Sequence, residues 1–157
     1  MEKLDSLRQH LINVLSKAEA HLDAASELRS FPPELRGRKP KGAPHSPWQL
    51  LEHMRIAQWD ILQFSLDAKH VSPKWPEGYW PEGEAPPGDE AWNQSVRQFL
   101  ADLESVCNMV RDPNRDLLAK IPHGDGQTYL REALLVADHN AYHLGQLVMA
   151  RRILEGK

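Results

Sequence analysis

Apolar residues recur at helical spacing in four separate stretches, and this pattern constrains the fold more than any other feature of the chain. In the first stretch, from about Lys3 to Leu28, an apolar side chain recurs every three or four residues, which is the period of an amphipathic helix. The pair Pro32-Pro33 ends this pattern, because proline is not tolerated inside a helix. The predicted stripe consists of Leu4, Leu7, Leu11, Val14, Leu15, Ala18 and Leu22.

The second stretch has the clearest start signal. Ser46-Pro47-Trp48-Gln49 offers a serine N-cap, a proline at the first helical position and a glutamine at the capping-box position. We expect this helix to run to about Ala68. Its apolar stripe consists of Leu50, Met54, Ala57, Ile61 and Phe64.

Two further helices are predicted, over Asp89 to Arg111 and over Thr128 to Leu154. A long Pro/Trp-rich connection, Val71 to Gly88, separates the second helix from the third. Connections of this length without regular structure are uncommon in compact domains and are often functional, although a packed surface loop explains the composition equally well. The third stripe is Trp92, Val96, Phe99, Leu100, Leu103, Val106 and Val110. The fourth includes Leu130, Leu134, Ala137, Ala141, Leu144, Leu147 and Val148.

Four amphipathic helices with almost no strand signal predict an all-α fold, a four-helix bundle. A length of 157 residues fits one domain spanning residues 1–157. The formal net charge of -3 argues against a nucleic-acid partner, and the basic run Arg36 to Lys41 is interpreted as a solvated loop.

No apolar run approaches the length of a membrane span, so no membrane partner is expected. The first residues are charged and show no apolar signal-peptide core. The single cysteine, Cys107, cannot form an internal disulfide, and we interpret it as a buried structural thiol. These features predict a cytoplasmic location.

His139 and His143 form the first candidate site. Four steps of about 100° bring two side chains to nearly the same face of a helix, so one metal ion could contact both imidazoles. By itself this HxxxH pair is a weak signal, because solvated histidines and hydrogen-bonded core histidines show the same spacing.

His53 is the candidate third ligand. It lies early in the second helix among apolar residues, and it meets His139 and His143 if the second and fourth helices are neighbours. Three neutral imidazoles suit zinc or nickel. Three protein ligands leave coordination positions open for water or substrate, as in catalytic sites.

With these residues in place the chain resembles the DinB/YfiT-like metalloenzyme superfamily. The resemblance rests on His53 and on the run His139-Asn140-Ala141-Tyr142-His143-Leu144-Gly145-Gln146, and the helix order extends it over essentially the whole chain. It implies a four-helix bundle in which His53, His139 and His143 bind a divalent metal. The relatives in this superfamily include thiol-dependent S-transferases and are often homodimers, so the resemblance implies a similar activity and a homodimer here.

Two functional hypotheses follow. The first is a metal-dependent enzyme that activates a low-molecular-weight thiol or water for attack on a small electrophilic substrate; the thiol is favoured over water only through the resemblance. The second is a non-catalytic metal- or ligand-binding bundle that acts as a dimeric interaction module. No general base is identifiable, so the catalytic residues are left unassigned.

Several residues near the histidines receive weaker predictions. Asp138 and Asn140 are expected in solvated or interhelical roles rather than as partners of an imidazole. Gln146 is close to the face of His143 and is a candidate contact of the ligand or the substrate.

For Gly145 we expect close helix packing, and for Tyr142 a core or interface position. Tyr79 and Trp80 are candidates to cover the metal pocket from the long connection. The remaining histidines are interpreted as surface or loop residues: His10, His21, His45, His70 and His123.

Overall fold

Five α-helices and two short 3-10 turns make up the regular structure of the residues that the structure describes. The computed structural model describes residues 2–17 and 19–157, and within these residues there is no β-strand, only an isolated bridge between Lys120 and Thr128. The prediction of an all-α fold is confirmed. The helices are α1 Glu2–Ser16, α2 Ala24–Arg29, α3 Pro47–Leu66, α4 Asp89–Arg111 and α5 Tyr129–Glu155.

The predicted first helix is wrong in its extent, because it is divided into α1 and α2. Asp23 has an extended backbone, and its side chain accepts a hydrogen bond from the Ser26 amide, so it caps a new helix instead of continuing the old one. Leu22 and Val14 of the predicted stripe are 44% and 52% exposed. Ala18 of that stripe lies outside the described residues.

The start of α3 follows the sequence signal. The Ser46 hydroxyl accepts a hydrogen bond from the Gln49 amide, and the Gln49 side chain accepts one from the Ser46 amide. The same hydroxyl donates to the carbonyl of Glu84 in the long connection. This serine therefore fixes both the first turn of α3 and the return of the connection beside it.

The four long helices pack against one another, with α3 in contact with α4 and α5, and α1 in contact with the same two helices. Two groups of buried apolar residues fill the interior. One includes Leu11, Leu62, Val106, Val110 and Val136. The other includes Leu28, Phe31, Leu51, Met54, Trp92, Phe99 and Leu147.

The buried face of α5 differs from the predicted stripe. Leu134 is 51% exposed and Ala141 is also exposed, whereas Ala133 and Val136 are buried. Apolar residues occur all round this helix, so periodicity alone does not specify which side faces the core. No helix of residues 2–17 and 19–157 has both the length and the apolar character required to cross a membrane.

The connection from α3 to α4 folds back over α3. It contains one 3-10 turn, Glu77–Tyr79. The Tyr79 hydroxyl donates to one carboxylate oxygen of Asp60 at 2.6 Å, and His70 contacts the other oxygen at 2.6 Å. Asp60 is only 8% exposed, so this buried carboxylate ties the start and the middle of the connection to α3.

Replacing the capping serine should test this description. We expect Ser46→Ala to lower the free energy of unfolding by about 1–2 kcal/mol, because it removes the cap and the bond to Glu84 together. Urea unfolding measures the change. Ser105→Ala is the control, since the Ser105 hydroxyl bonds only to a carbonyl of its own helix; equal stability of the two variants would contradict the role of the cap.

Candidate metal centre

The structure brings His53, His139 and His143 together between α3 and α5. One nitrogen of each ring lies within 4.8 Å of the corresponding nitrogens of the other two. His53 is 4% exposed and His143 is 8% exposed. Three imidazoles are therefore concentrated in a largely buried space, which is the arrangement that the sequence predicts.

The closest pair of nitrogens has a separation suited to a shared ion. The Nε2 atoms of His53 and His139 are 3.1 Å apart. If both nitrogens lie about 2.05 Å from one ion, as in zinc sites, this separation corresponds to an angle of about 100° at the ion. Tetrahedral and octahedral coordination both accept such an angle with little adjustment.

Hydrogen bonds fix the orientation of two of the rings. Nδ1 of His53 donates to the Tyr79 carbonyl at 2.9 Å, and Nδ1 of His143 donates to Oε1 of Gln146 at 2.7 Å. In a neutral imidazole only one nitrogen carries hydrogen, so the Nε2 lone pairs of these rings are free to bind a metal. The predicted contact between Gln146 and His143 is present.

His139 and its neighbour leave two complementary polar atoms without partners. His139 Nδ1 and Asn140 Oδ1 are both buried and lack a hydrogen-bond partner among the described residues. A metal on His139 Nε2 would require hydrogen on Nδ1, and that hydrogen would need an acceptor. The unpartnered oxygen of Asn140, the next residue, is the candidate acceptor.

An amide chain determines which way Asn140 presents its oxygen. Gln58 Nε2 donates to the Phe99 carbonyl at 2.7 Å, and Asn140 Nδ2 donates to Gln58 Oε1 at 2.7 Å. A carbonyl only accepts, so the orientation of Gln58 is fixed, and that of Asn140 follows. The interhelical role expected for Asn140 is present, and the three-histidine set fits a divalent ion on the chemistry of its donors.

Burial keeps the three imidazoles neutral at ordinary pH. Burial first, and then the neighbouring His143 and His53, lower the pKa of His139 to about 4. Burial also lowers the pKa of His53 and of His143. Neutral imidazole is the form that binds metal, so protons compete weakly at this cluster near neutral pH.

Trp80 covers one side of the cluster. Its ring stacks in parallel on His53, with centroids 3.9 Å apart, and on its other face it stacks on His45 at 3.8 Å. Trp80 therefore covers the cluster as predicted, whereas the Tyr79 side chain bonds to Asp60 and only the Tyr79 carbonyl contacts His53. Burial lowers the pKa of His45, and so do the nearby Lys39 and His143.

His45 and His70 lie in loops, as predicted, but both side chains are packed against other residues. His45 is only partly exposed and packs against Trp80 beside the cluster, and the side chain of His70 pairs with the buried Asp60. Their partners come from distant parts of the chain, so no local spacing indicates them. His10, His21 and His123 are exposed, as expected.

The prediction for Gly145 is wrong. A Cβ added at Gly145 would meet nothing within 4 Å in the described parts of the chain, so this glycine does not serve close helix packing. Tyr142 is 65% exposed, which excludes a core position and leaves the interface position as a prediction. Cys107 is fully buried, as predicted, and Asp138 is exposed.

Sequence reasoning missed three residues that support the site. Gln58 and Asp60 lie on α3 and are buried polar residues, and His45 precedes the helix. For Gln58 and Asp60, the only sequence signal is that they are polar residues one or two helical turns after His53. Nothing in the local pattern distinguishes them from solvated residues.

Fold and site together define a helical domain with a candidate three-histidine metal centre. The model of the DinB superfamily matches residues 15–147, a range that includes all three histidines. The match covers most of the chain, and the chain belongs to this superfamily. Neither a curated protein nor a solved structure shows a significant match.

The depressed pKa of His139 predicts a pH dependence of stability. In the unfolded chain a histidine takes up a proton near pH 6.5, whereas in the fold His139 does so near 4. As the pH falls through this window the unfolded chain is favoured, so the free energy of unfolding of the metal-free protein should decrease. Urea unfolding at a series of pH values in the presence of a chelator measures it.

The control for this experiment is another histidine. His139→Gln should make the decrease smaller, because one of the three buried titrating imidazoles is gone, whereas His10→Ala removes only an exposed ring and should keep the wild-type profile. An unchanged profile in His139→Gln would exclude His139 as the source.

The two neighbours of His139 give a matched pair of variants. Asn140→Ala should weaken zinc binding about 10- to 100-fold, because His139 Nδ1 would lose the candidate acceptor for the hydrogen that it carries when Nε2 binds a metal. Asp138→Ala should leave the affinity unchanged, since Asp138 is exposed and has no hydrogen bond within the described residues. Competition with a chromogenic chelator measures both, and equal affinities would contradict the role of Asn140.

Proposed function

We propose that this protein is a metal-dependent enzyme that activates a thiol, or a water molecule, for attack on a small electrophilic substrate. The observation that carries the proposal is the cluster of three neutral imidazoles whose nitrogens lie within 4.8 Å of one another. Membership of the DinB superfamily supports it. The thiol is preferred to water because the DinB/YfiT-like relatives include S-transferases.

The donor set favours zinc or nickel as the ion. Neutral imidazole suits borderline divalent ions better than magnesium or calcium, which prefer oxygen. Three protein ligands leave positions open, in contrast to the four ligands of most structural zinc sites. A divalent ion held here would lower the pKa of a thiol or of water and supply a nucleophile at neutral pH.

The residues around the cluster would position and shield the reaction. Tyr79 and Gln146 hold the rings of His53 and His143 in one tautomer, which presents Nε2 for coordination. Trp80 closes one face against water. A low local polarity on that face would strengthen the attraction between a cation and a thiolate.

A second candidate function is a non-catalytic metal-binding module that acts as a homodimer. One side of α5 exposes a row of large apolar side chains, and such exposed rows are typical of protein contacts. The row consists of Leu134, Tyr142, Met149 and Ile153. A second copy of the chain packed on this row would leave the metal cluster intact without requiring turnover.

Metal analysis tests the site itself. Protein purified without a His-tag and loaded with zinc or nickel should contain about one ion per chain. His139→Ala should lose the ion and stay folded, and His10→Ala should retain it. If the wild-type protein takes up no ion at neutral pH, the proposal is wrong.

Turnover separates the two candidate functions. The metal-loaded protein should accelerate the reaction of a chromogenic aryl electrophile with at least one of a panel of cellular thiols, and His53→Ala should abolish the acceleration. Hydrolysis without thiol would instead indicate activation of water. Stoichiometric metal with neither reaction would favour the binding module.

A further inference from the structure

An open apolar groove lies next to the histidine cluster. Its volume is about 190 Å³, somewhat larger than the cavity of about 150 Å³ that accepts benzene in another protein. It is formed by the loop before α3, by the first turn of α3 and by the last turns of α5. Its walls include Pro44, His45, Leu50, Gln146, Met149 and Ile153.

The groove and the cluster share their boundary residues. Gln146 lines the groove and also holds the ring of His143. His45 lines the groove and stacks on Trp80, which in turn stacks on His53. The groove and the cluster are therefore adjacent, and Gln146 and Trp80 form the boundary between them.

Helix geometry gives the distance from the cluster to the groove. Leu50 precedes His53 by three residues, and Gln146 follows His143 by three residues. Each interval is a rise of about 4.5 Å along its helix. A molecule that reacts at the cluster would therefore extend about one helical turn before it enters the groove.

The composition of the walls selects the kind of group that fits. The residues that line the groove carry no carboxylate, lysine or arginine, and the lowered pKa of His45 keeps its ring neutral. Lys39, the cation that acts on His45, is already paired with Glu84, so a charged group placed in the groove would lose hydration without gaining a free opposite charge. Met149 and Ile153 are each 54% exposed, so apolar surface is available to be covered.

We propose that this groove binds the uncharged apolar part of the substrate, a single aromatic ring or an alkyl group of similar size, while the reacting atom faces the histidine cluster. This substrate class rests on the proposed function for the role of the cluster. The binding of an apolar group in the groove needs no metal and is tested separately.

Methionine methyl groups provide a direct probe of the groove. The chain has four methionines. Met149 lines the groove, whereas Met109 is buried in the group of core residues that includes Val106 and Val110. With ¹³C-methyl methionine in the full chain, toluene should shift the Met149 resonance in a saturable manner and leave that of Met109 in place. Benzoate and benzylammonium, which have the same ring with a charge, should produce no saturable shift.

Two matched variants locate the binding site. Ala43 lines the groove from a loop, so Ala43→Phe should fill it and weaken toluene binding about tenfold or more. Ala68→Phe adds the same ring at an exposed position outside the groove and should bind toluene as the wild type does. Ile153→Asp is a second test at a half-exposed position, and it should weaken binding through its charge.

The outcomes separate this inference from the proposed function. Toluene binding with no metal uptake would support an apolar binding groove and would overturn the proposed metal-dependent enzyme. The substrate role that is assigned to the groove would then be overturned as well. Metal uptake without a toluene shift at Met149 would overturn the groove alone. A Met149 resonance that moves with protein concentration, together with a dimer in sedimentation, would show that a second copy covers the groove and would also overturn the inference.

Discussion

The contact between α3 and α5 is the interaction on which the site depends. The two helices run in opposite directions, as their contacts show: Gln58 bonds to Asn140, His53 meets His139, and Leu50 shares a groove with Ala150. Apolar residues of both helices are buried along this contact. The same packing that removes apolar surface from water therefore places three imidazoles on facing helices within reach of one ion.

Burial at this contact has opposite effects on stability and on metal binding. An imidazole out of water resists protonation, so His139 has a pKa of about 4 and keeps a free lone pair. The unpartnered Nδ1 of His139 and Oδ1 of Asn140 are unfavourable for folding, because buried polar atoms without hydrogen bonds destabilise. If the hydrogen of His139 moves to Nδ1, this nitrogen becomes a donor and Asn140 Oδ1 is an acceptor for it. The unfavourable burial of these two atoms therefore lies where a metal on Nε2 would relieve it.

The long connection contributes to the site because it is fastened at both ends. Asp60 binds His70 and Tyr79, and Ser46 binds the carbonyl of Glu84. Between these points the Tyr79 carbonyl and the Trp80 ring are brought against His53. A loop without regular structure thus acquires a defined position from polar contacts to α3 rather than from secondary structure of its own.

The sequence by itself determined the all-α class, the start of α3 at Ser46, the limits of α4 and the position of His139 and His143 on one helix face. These features depend on local rules, namely helical periodicity, capping and i, i+4 spacing. The break after α1 has a local cause, the Asp23 cap, which helical periodicity does not reveal. Tertiary structure decided the meeting of His53 with the histidine pair, the exposed side of α5 and the part played by His45, Gln58 and Asp60. The physical reason is that burial and hydrogen bonding between residues far apart in the chain leave no local periodicity to read.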